Sequence, residues 1–173
     1  MLDTDAMRCK ILENALKGHF PDILIANEDV TDLIDLLKVQ KEERIKKGLI
    51  SKDKKMLPIT ENETPFQIPV TWSWVRIGDI FYHNTGKALN SSNTEGNIYE
   101  YITTSNVYWD RFELNELKTM PFTESEIEKC TVKKGDLLVC EGGDIGRAAI
   151  WNYDEEIKIQ NHIHRLRPYV EIC

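Results

Sequence analysis

The sequence predicts an α+β fold in which an N-terminal helical arm precedes a mixed, mainly antiparallel sheet domain. Apolar residues recur at helical spacing before residue 47, whereas short β-branched and aromatic stretches separated by turns follow residue 68. Strand–helix–strand alternation is not visible in the second part, which argues against a parallel doubly wound sheet. We therefore divide the chain into a helical spacer over 1–50, an extended linker over 51–67 and a sheet domain over 68–173.

Two helices are predicted in the arm, over 5–17 and 30–47. In the first, Met7 and Ile11 open an apolar series with a four-residue spacing, and a glycine follows each helix where a left-handed residue ends it. The apolar stripe of the second helix is formed by Val30, Leu33, Ile34 and Leu37. Beyond this stripe the helix is polar, so that half is expected to project into solvent or lie along another protein.

The linker is predicted from its prolines, and the sheet domain from short stretches rich in β-branched and aromatic residues. Three prolines in 51–69 favour extended backbone. Thr123 and Glu126 form a capping-box pattern, which predicts one helix within the sheet domain. The predicted strands lie in WSWVRI, IYEYITT, DLLVCE, GRAAIW, EIKIQ and HIHRLR.

Composition restricts the function classes. The formal net charge of −7 taken alone argues against nucleic-acid binding, because phosphate contacts need Lys and Arg. The charge is unevenly distributed, however, since 38–55 carries eight Lys or Arg against three acids. We interpret this cluster as a solvated helix end and linker, with nucleic-acid contact as the secondary alternative.

Targeting and cysteine signals are weak. There is neither an apolar run of the ~20 residues that span a bilayer nor a basic-then-apolar signal peptide, so we expect a cytoplasmic protein without membrane contact. Irregular cysteine spacing argues against a zinc site and favours free thiols in a reducing compartment. The four cysteines are Cys9, Cys130, Cys140 and Cys173.

Two short motifs invite chemical interpretations. EGGDIGR at 141–147 lacks the Lys-Ser/Thr of a phosphate-binding loop, so a tight turn between two strands is favoured. His162 and His164 in NHIH lie on one face of a predicted strand, where two imidazoles can hold a metal ion. A third ligand does not follow closely, which favours polar surface histidines over a metal site.

Two polar stretches are candidate contact surfaces. The loop 83–97 is long and polar and contains two glycines. The stretch 102–111 combines hydroxyl, amide and guanidinium groups with two aromatic residues. Such side chains read base edges and phosphates in DNA complexes. A plain surface loop remains the alternative, and composition alone leaves the choice open.

The order of four segments resembles the specificity subunit of type I restriction–modification systems. IPVTWSWVRIGDI resembles the opening of a target-recognition domain, VKKGDLLVCEGGDIGRAAIW its Gly-Asp-Leu-Leu and Gly-Arg strand pair, and IQNHIHRLRP its closing strand. The helix and linker in LLKVQKEERIKKGLISKDKK, with LPIT and PFQIP, resemble those ahead of such a domain. The N-terminal ILENALKGHF resembles the family's first helix, so the resemblance covers most of 7–169.

The resemblance implies a subunit without catalytic residues that reads double-stranded DNA. Such subunits carry two recognition domains, each for half of a split site, and helical spacers that dock the methyltransferase subunits. S-adenosylmethionine is then expected on the methyltransferase subunits and ATP with Mg²⁺ on the restriction subunits, with no cofactor or metal on this chain. Only one recognition domain is visible here, and the end at Cys173 favours a truncated subunit over a natural half-subunit.

On this resemblance we assign candidate residues. The DNA contacts are expected at Lys87, Asn90, Ser91, Ser92, Asn93, Thr103, Thr104, Ser105, Asn106 and Arg111. The partner contacts are expected at Leu37, Lys41, Arg44 and Ile45. The alternatives are a metal-dependent enzyme that uses His162 and His164, and a protein-interaction module that does not bind DNA.

Overall fold

The computed structural model describes residues 4–19, 30–52, 57–90 and 94–170, apart from the side chain of Asp5. The chain divides into two compact units, Met1–Asp79 and Ile80–Cys173. Helices dominate the described part of the first unit and short strands the second, so the predicted α+β fold is confirmed. None of the helices in the described ranges has the length and apolar character needed to cross a membrane.

Two helices form in the first unit, as the apolar spacing predicts. Helix α1 spans Thr4–Leu16 and helix α2 spans Val30–Lys46. Each is followed by a glycine in the left-handed region, Gly18 with φ of 68° and Gly48 with φ of 71°. Such a residue lets the following amide reach back to a carbonyl of the last turn, at 2.8 Å after α1 and 3.0 Å after α2.

Helix α2 has an inner and an outer face. Leu37 is buried on the inner face, and the Nζ of Lys41 donates to the carbonyl of Gly78 at 2.7 Å. The predicted partner contacts therefore lie on the face that packs within the first unit: Leu37 is buried, and Lys41, Arg44 and Ile45 are half-buried. The outer face instead exposes the apolar side chains of Leu33, Leu36 and Val39.

The described part of the predicted linker, 57–67, folds back within the first unit. Arg76 donates to the carbonyl of Leu57 at 3.1 Å and pairs with Glu63 at 2.9 Å. The ring of Phe66 meets that of Trp74 edge-on, with centroids 5.1 Å apart. The division into compact units therefore falls at residues 79/80, twelve residues beyond the boundary at 67/68 that the sequence predicts.

The described residues of the second unit contain ten short strands, and helix α3 (Ile77–Ile80) leads into the first of them. Helix α4 spans Glu124–Cys130, after the predicted capping box. The strands are β1 Phe81–Thr85, β2 Asn97–Ile102, β3 Val107–Tyr108, β4 Arg111–Phe112, β5 Lys118–Phe122, β6 Thr131–Val132, β7 Leu137–Cys140, β8 Ala148–Ile150, β9 Ile157–Ile159 and β10 Ile163–Pro168.

The strands form two four-stranded sheets and one small hairpin. The first sheet has the order β1-β10-β7-β8 and is antiparallel throughout. The second has the order β5-β2-β9-β6, in which only the pairing of β2 with β9 is parallel. Strands β3 and β4 pair with each other. The sheets are thus mixed and mainly antiparallel, as the sequence predicts.

The hydrophobic core of the second unit joins both sheets. Phe122 and Ile102 from the second sheet and Leu138 and Ile163 from the first are fully buried in one cluster, together with Trp151. Burial of such side chains contributes roughly 1.5–3 kcal/mol each, so this cluster holds the strand ends in fixed positions. Those strand ends carry the loops that form the candidate site.

The Gly-Asp-Leu-Leu motif has a structural role. Gly135 adopts a φ of 87° in the turn before β7, and Asp136 is almost completely buried. Arg167 pairs with both carboxylate oxygens of Asp136 at 2.7 Å, and the N–H of Lys133 donates to the same carboxylate at 2.8 Å. A buried charge needs such partners, so this motif fixes the turn against β10.

Candidate nucleic-acid interface

Four chain segments meet where strands end at one edge of the second unit. Strands β2 and β9 are parallel and end together, and β1 and β7 both end beside the start of β10. The segments that leave these strand ends bring polar groups together although they are far apart in sequence. We call this surface the loop edge, and it comprises 86–90, 103–111, 141–147 and 160–162.

Backbone hydrogen bonds join the first two and the last of these segments. The N–H of Lys87 donates to the carbonyl of Ile159 at 3.0 Å, and the N–H of Asn161 donates to the carbonyl of Lys87 at 2.9 Å. The N–H of Gln160 donates to the carbonyl of Ile102 at 3.1 Å. The loop that follows β1 is thereby fixed against the ends of β9 and β2.

The segment 141–147 is joined to its neighbours in the same way. The N–H of Glu141 donates to the carbonyl of His162 at 3.0 Å. The guanidinium of Arg147 donates to the carbonyl of Thr104 at 3.0 Å and lies over the ring of Tyr108, 5.2 Å from its centroid. The loop edge is therefore one connected surface.

Lys87 has its polar end inside the domain. The residue is only 7% exposed. Its Nζ donates to the carbonyl of Pro121 and to the carboxylate of Glu126, both at 2.7 Å. The hydrogen bond from Lys87, followed by that from the N–H of Thr123, lowers the pKa of Glu126. In this conformation the ammonium joins the β1 loop to helix α4 and is not offered to a ligand.

Thr103 and Asn106 are also used within the fold. The Asn106 side chain accepts hydrogen bonds from the N–H and hydroxyl of Thr103 at 2.8 and 2.9 Å. Its amide donates to the carbonyls of Glu113 and Glu116 at 2.9 and 3.3 Å. Both residues are buried. Their hydrogen bonds shape the turn between β2 and β3, which leaves the intervening residues at the surface.

The remaining described candidates lie at the surface of the loop edge. Ser105 and Asn90 are exposed and Thr104 is half-buried. Arg111 is exposed, pairs with Glu113 and lies over the ring of Tyr108, 4.5 Å from its centroid. Three further candidates, Ser91, Ser92 and Asn93, lie outside the described residues. The structure thus brings the exposed candidates of both predicted stretches to one edge.

The glycine-rich segment 141–147 is a tight turn between β7 and β8. Gly143 and Gly146 adopt φ values of 73° and 88°, which only glycine accepts readily. The N–H of Gly146 donates to the carbonyl of Cys140 at 3.0 Å. The segment is followed by strand β8, so the interpretation as a turn is favoured over a phosphate-binding loop.

The histidines do not form a metal centre in the described part of the chain. A ring nitrogen of His164 lies 2.7 Å from one of His83, and its other ring nitrogen lies 3.3 Å from a carboxylate oxygen of Glu141. His162 is exposed at the loop edge. Partial burial, then the neighbouring His164 and Arg165, lowers the pKa of His83. Across 4–19, 30–52, 57–90 and 94–170, no group of three His, Cys, Asp or Glu residues is arranged to hold a metal ion.

The candidate residues assigned from the sequence leave out the apolar residues of the loop edge, although two aromatic residues were noted in 102–111. Trp109 is 67% exposed at the turn between β3 and β4, and Ile145 is 78% exposed in the turn between β7 and β8. Leu89 is exposed in the loop after β1. The available signal was a large apolar residue within a two-residue turn or between glycines, where local folding does not require one.

Comparison with known proteins identifies the family. Residues 69–172 match the type I restriction modification DNA specificity domain. The chain is 27% identical over 150 residues to the type I restriction enzyme EcoEI specificity subunit of Escherichia coli, a match that covers 84% of this chain and 25% of that protein. It is 32% identical over 87 residues to the EcoAI specificity subunit of the same organism, covering 50% of this chain and 15% of that protein.

A solved structure shows a weaker likeness. The HsdS subunit from Thermoanaerobacter tengcongensis is 16% identical, with a TM-score of 0.45, and the match covers 90% of this chain and 34% of that one. The chain spans about a quarter of the length of the EcoEI specificity subunit. Because the family match extends over most of the second unit and its approach, the resemblance that the four segments indicated is confirmed. The chain belongs to the family of type I restriction modification DNA specificity domains.

Proposed function

We propose that this chain recognises a DNA sequence as part of the specificity subunit of a type I restriction–modification complex. The observation that carries the proposal is the loop edge, where four segments from separate strands present polar side chains on one connected surface. Hydroxyl, amide, imidazole and guanidinium groups at such a surface match the donors and acceptors of base edges. The buried strands behind it keep these groups in register with one another.

The contacting set that the geometry supports is smaller than the set that the sequence predicts. Asn90, Thr104, Ser105 and Arg111 retain surface positions, and Asn161 and His162 join them from the segment before β10. The supporting residues are Lys87, Thr103 and Asn106, whose polar groups are satisfied within the domain. Ser91, Ser92 and Asn93 stay predictions.

The charge of the loop edge supports a role within a larger complex. Glu113 pairs with Arg111, and a carboxylate oxygen of Asp144 lies 3.7 Å from Arg147, so the two guanidinium groups are locally balanced. DNA affinity depends strongly on phosphate neutralisation. We therefore assign most of that neutralisation to methyltransferase subunits, with restriction subunits as further partners and double-stranded DNA as the ligand of the assembly.

The chain is proposed to act without catalysis of its own. The chemistry would reside on the partners, with S-adenosylmethionine on the methyltransferase subunits and ATP with Mg²⁺ on the restriction subunits. The outer face of α2, with Leu33, Leu36 and Val39 exposed, is the surface proposed to dock a methyltransferase subunit. An apolar helical stripe of this kind is typical of helix-in-groove recognition.

The test is to exchange 103–111 and 141–147 together in the full specificity subunit for the equivalent segments of a relative with another target. The assembled methyltransferase complex is then used to map methylated sequences. We expect the methylated half-site to change. The control exchange covers 153–156, an exposed turn outside the loop edge, and should leave the target unchanged. An unchanged target after the first exchange would refute the assignment of the loop edge.

A further inference from the structure

Two exposed apolar side chains stand at the ends of neighbouring turns on the loop edge. Trp109 lies in the two-residue turn between β3 and β4, and Ile145 lies within the 141–147 turn between β7 and β8. A large apolar residue at the position of Trp109 carries no folding benefit, because two-residue hairpin turns favour Asn, Asp and Gly. The exposed side chain of Ile145 likewise buries little surface within the domain. Their exposure therefore calls for a ligand rather than a packing explanation.

The two turns are held as one unit. The N–H of Asp110, next to Trp109, donates to the carbonyl of Ala148 at 3.0 Å. Arg147 and Arg111 lie over the ring of Tyr108 at 5.2 and 4.5 Å from its centroid, so the hairpin and the 141–147 turn share these contacts. The turn that carries Trp109 is therefore fixed by contacts with the neighbouring 141–147 turn and with strand β8.

The surroundings of these side chains favour DNA over a protein surface. Trp109 stands between the half-buried Tyr108 and the exposed Asp110, and Ile145 stands between Asp144 and Gly146, so neither belongs to a run of exposed apolar residues. Protein interfaces instead centre on a contiguous apolar patch with a polar rim. Isolated apolar side chains among groups that contact bases are the pattern of residues that insert between base steps and unstack them.

We propose that Trp109, assisted by Ile145, is a wedge that unstacks a base step of the DNA target, so that part of the sequence preference is read from how easily that step deforms. This inference rests on the proposed function. Pyrimidine–purine steps unstack most readily, so the preferred step is expected to be TA or CA/TG. The local balance of charge at Arg111 and Arg147 agrees with this inference, because apolar and stacking contacts then form a larger share of what this surface itself contributes to binding.

The test uses the full specificity subunit assembled with its methyltransferase subunits and a duplex carrying the mapped target. 2-Aminopurine is placed at each successive step, and its fluorescence rises where a base is unstacked. With the wild-type complex we expect a rise at one step apart from the methylated base. Trp109→Ala should abolish that rise and weaken binding by about 10-fold or more, whereas Trp109→Phe retains both. The signal at the methylated base is an internal control, because methyltransferases extrude it.

A matched pair of variants tests the assisting residue. Ile145→Ala should weaken binding by several-fold, which is about the effect of losing one apolar contact at an interface. Ile77 is 66% exposed on α3, outside the loop edge, so Ile77→Ala removes the same atoms and should leave binding unchanged. Equal effects of the two substitutions would overturn the role of Ile145.

The outcomes separate this inference from the proposed function. The wedge is overturned, with DNA recognition left standing, if Trp109→Ala keeps both the affinity and the fluorescence rise of the wild-type complex, or if the wild-type complex shows no rise apart from that at the methylated base. Absence of sequence-specific binding by the wild-type complex overturns the proposed function itself. Failure of Trp109→Ala to assemble with the methyltransferase subunits would make the turn a protein contact and would also overturn the wedge.

Discussion

Residue type alone is a poor guide to contact with DNA when the side chain is long and charged. Lys87 was predicted to contact DNA because it lies in a polar loop, yet its ammonium is enclosed by a carbonyl and a carboxylate of the same domain. The side-chain amide of Asn106 is likewise hydrogen-bonded to Thr103 and Glu113, within the turn that it stabilises. Ser105, between the same strands, keeps an exposed position. Sequence cannot separate these roles, because the partners of Lys87 lie 34 and 39 residues away.

Substitution of Lys87 distinguishes a structural from a contacting lysine. Lys87→Met should lower the free energy of unfolding by about 1–3 kcal/mol, because it leaves the carbonyl of Pro121 and the carboxylate of Glu126 without their donor. Since the pKa of Glu126 is lowered, its contribution is present above its ordinary pKa and is lost as the pH falls through the folded value. The difference from wild type in urea unfolding should therefore shrink on acidification.

The control for this prediction is Lys118→Met, which removes an exposed lysine from edge strand β5. It is expected to change the free energy of unfolding by less than about 0.5 kcal/mol. If Lys87→Met were as mild as the control while DNA binding by the assembled complex fell, the lysine would be a contact residue after all.

At the scale of single elements, helix α2 shows that a correct helix prediction does not by itself decide which face of the helix is exposed. Of the stripe that the sequence identified, Leu37 is buried on the inner face, where Lys41 reaches the carbonyl of Gly78, whereas Leu33 is exposed. Which face of an amphipathic helix meets a partner depends on what else the chain places against it. Gly78 and Asp79 contact Lys41 within the same unit, and their position is not encoded in the helix itself.

Two variants of α2 should separate stability from assembly. Leu37→Ala should destabilise the first unit by about 2–5 kcal/mol, because the side chain is 5% exposed and its loss leaves a cavity. The double variant Leu33→Ser with Leu36→Ser should leave thermal stability nearly unchanged and weaken co-purification with the methyltransferase subunit. Intact assembly in the double variant, measured by pull-down at matched concentration, would remove the outer face from the partner interface.

At the scale of the whole second unit, one glycine governs how the two sheets meet. A Cβ on Gly86 would lie 2.1 Å from the carbonyl oxygen of Ile159 and 2.5 Å from the carbonyl carbon of Gln160. Both neighbours are backbone atoms, so the clash cannot be relieved by turning a side chain. The close approach allows Lys87 to pair with Gln160, which links the loop after β1 to the end of β9.

Gly86→Ala should therefore lower the free energy of unfolding by about 3 kcal/mol or more and disturb the whole loop edge. Gly142→Ala is the matched control, because a Cβ at that position meets nothing within 4 Å. Urea denaturation followed by tryptophan fluorescence measures both. Comparable midpoints for the two variants would show that the junction between the sheets tolerates expansion and would weaken the account of the loop edge as a fixed surface.

The sequence by itself determined the class of fold, helices α1, α2 and α4, the position of several strands and the family, because these depend on local periodicity, capping residues and the order of short motifs. It also led to the correct preference for a turn at 141–147, since glycine conformations are a local property. Only the tertiary structure decided which polar residues face outward and that Trp109 and Ile145 share a surface with Ser105. Those outcomes depend on contacts between residues far apart in the chain, above all the parallel pairing of β2 with β9, which no local pattern specifies.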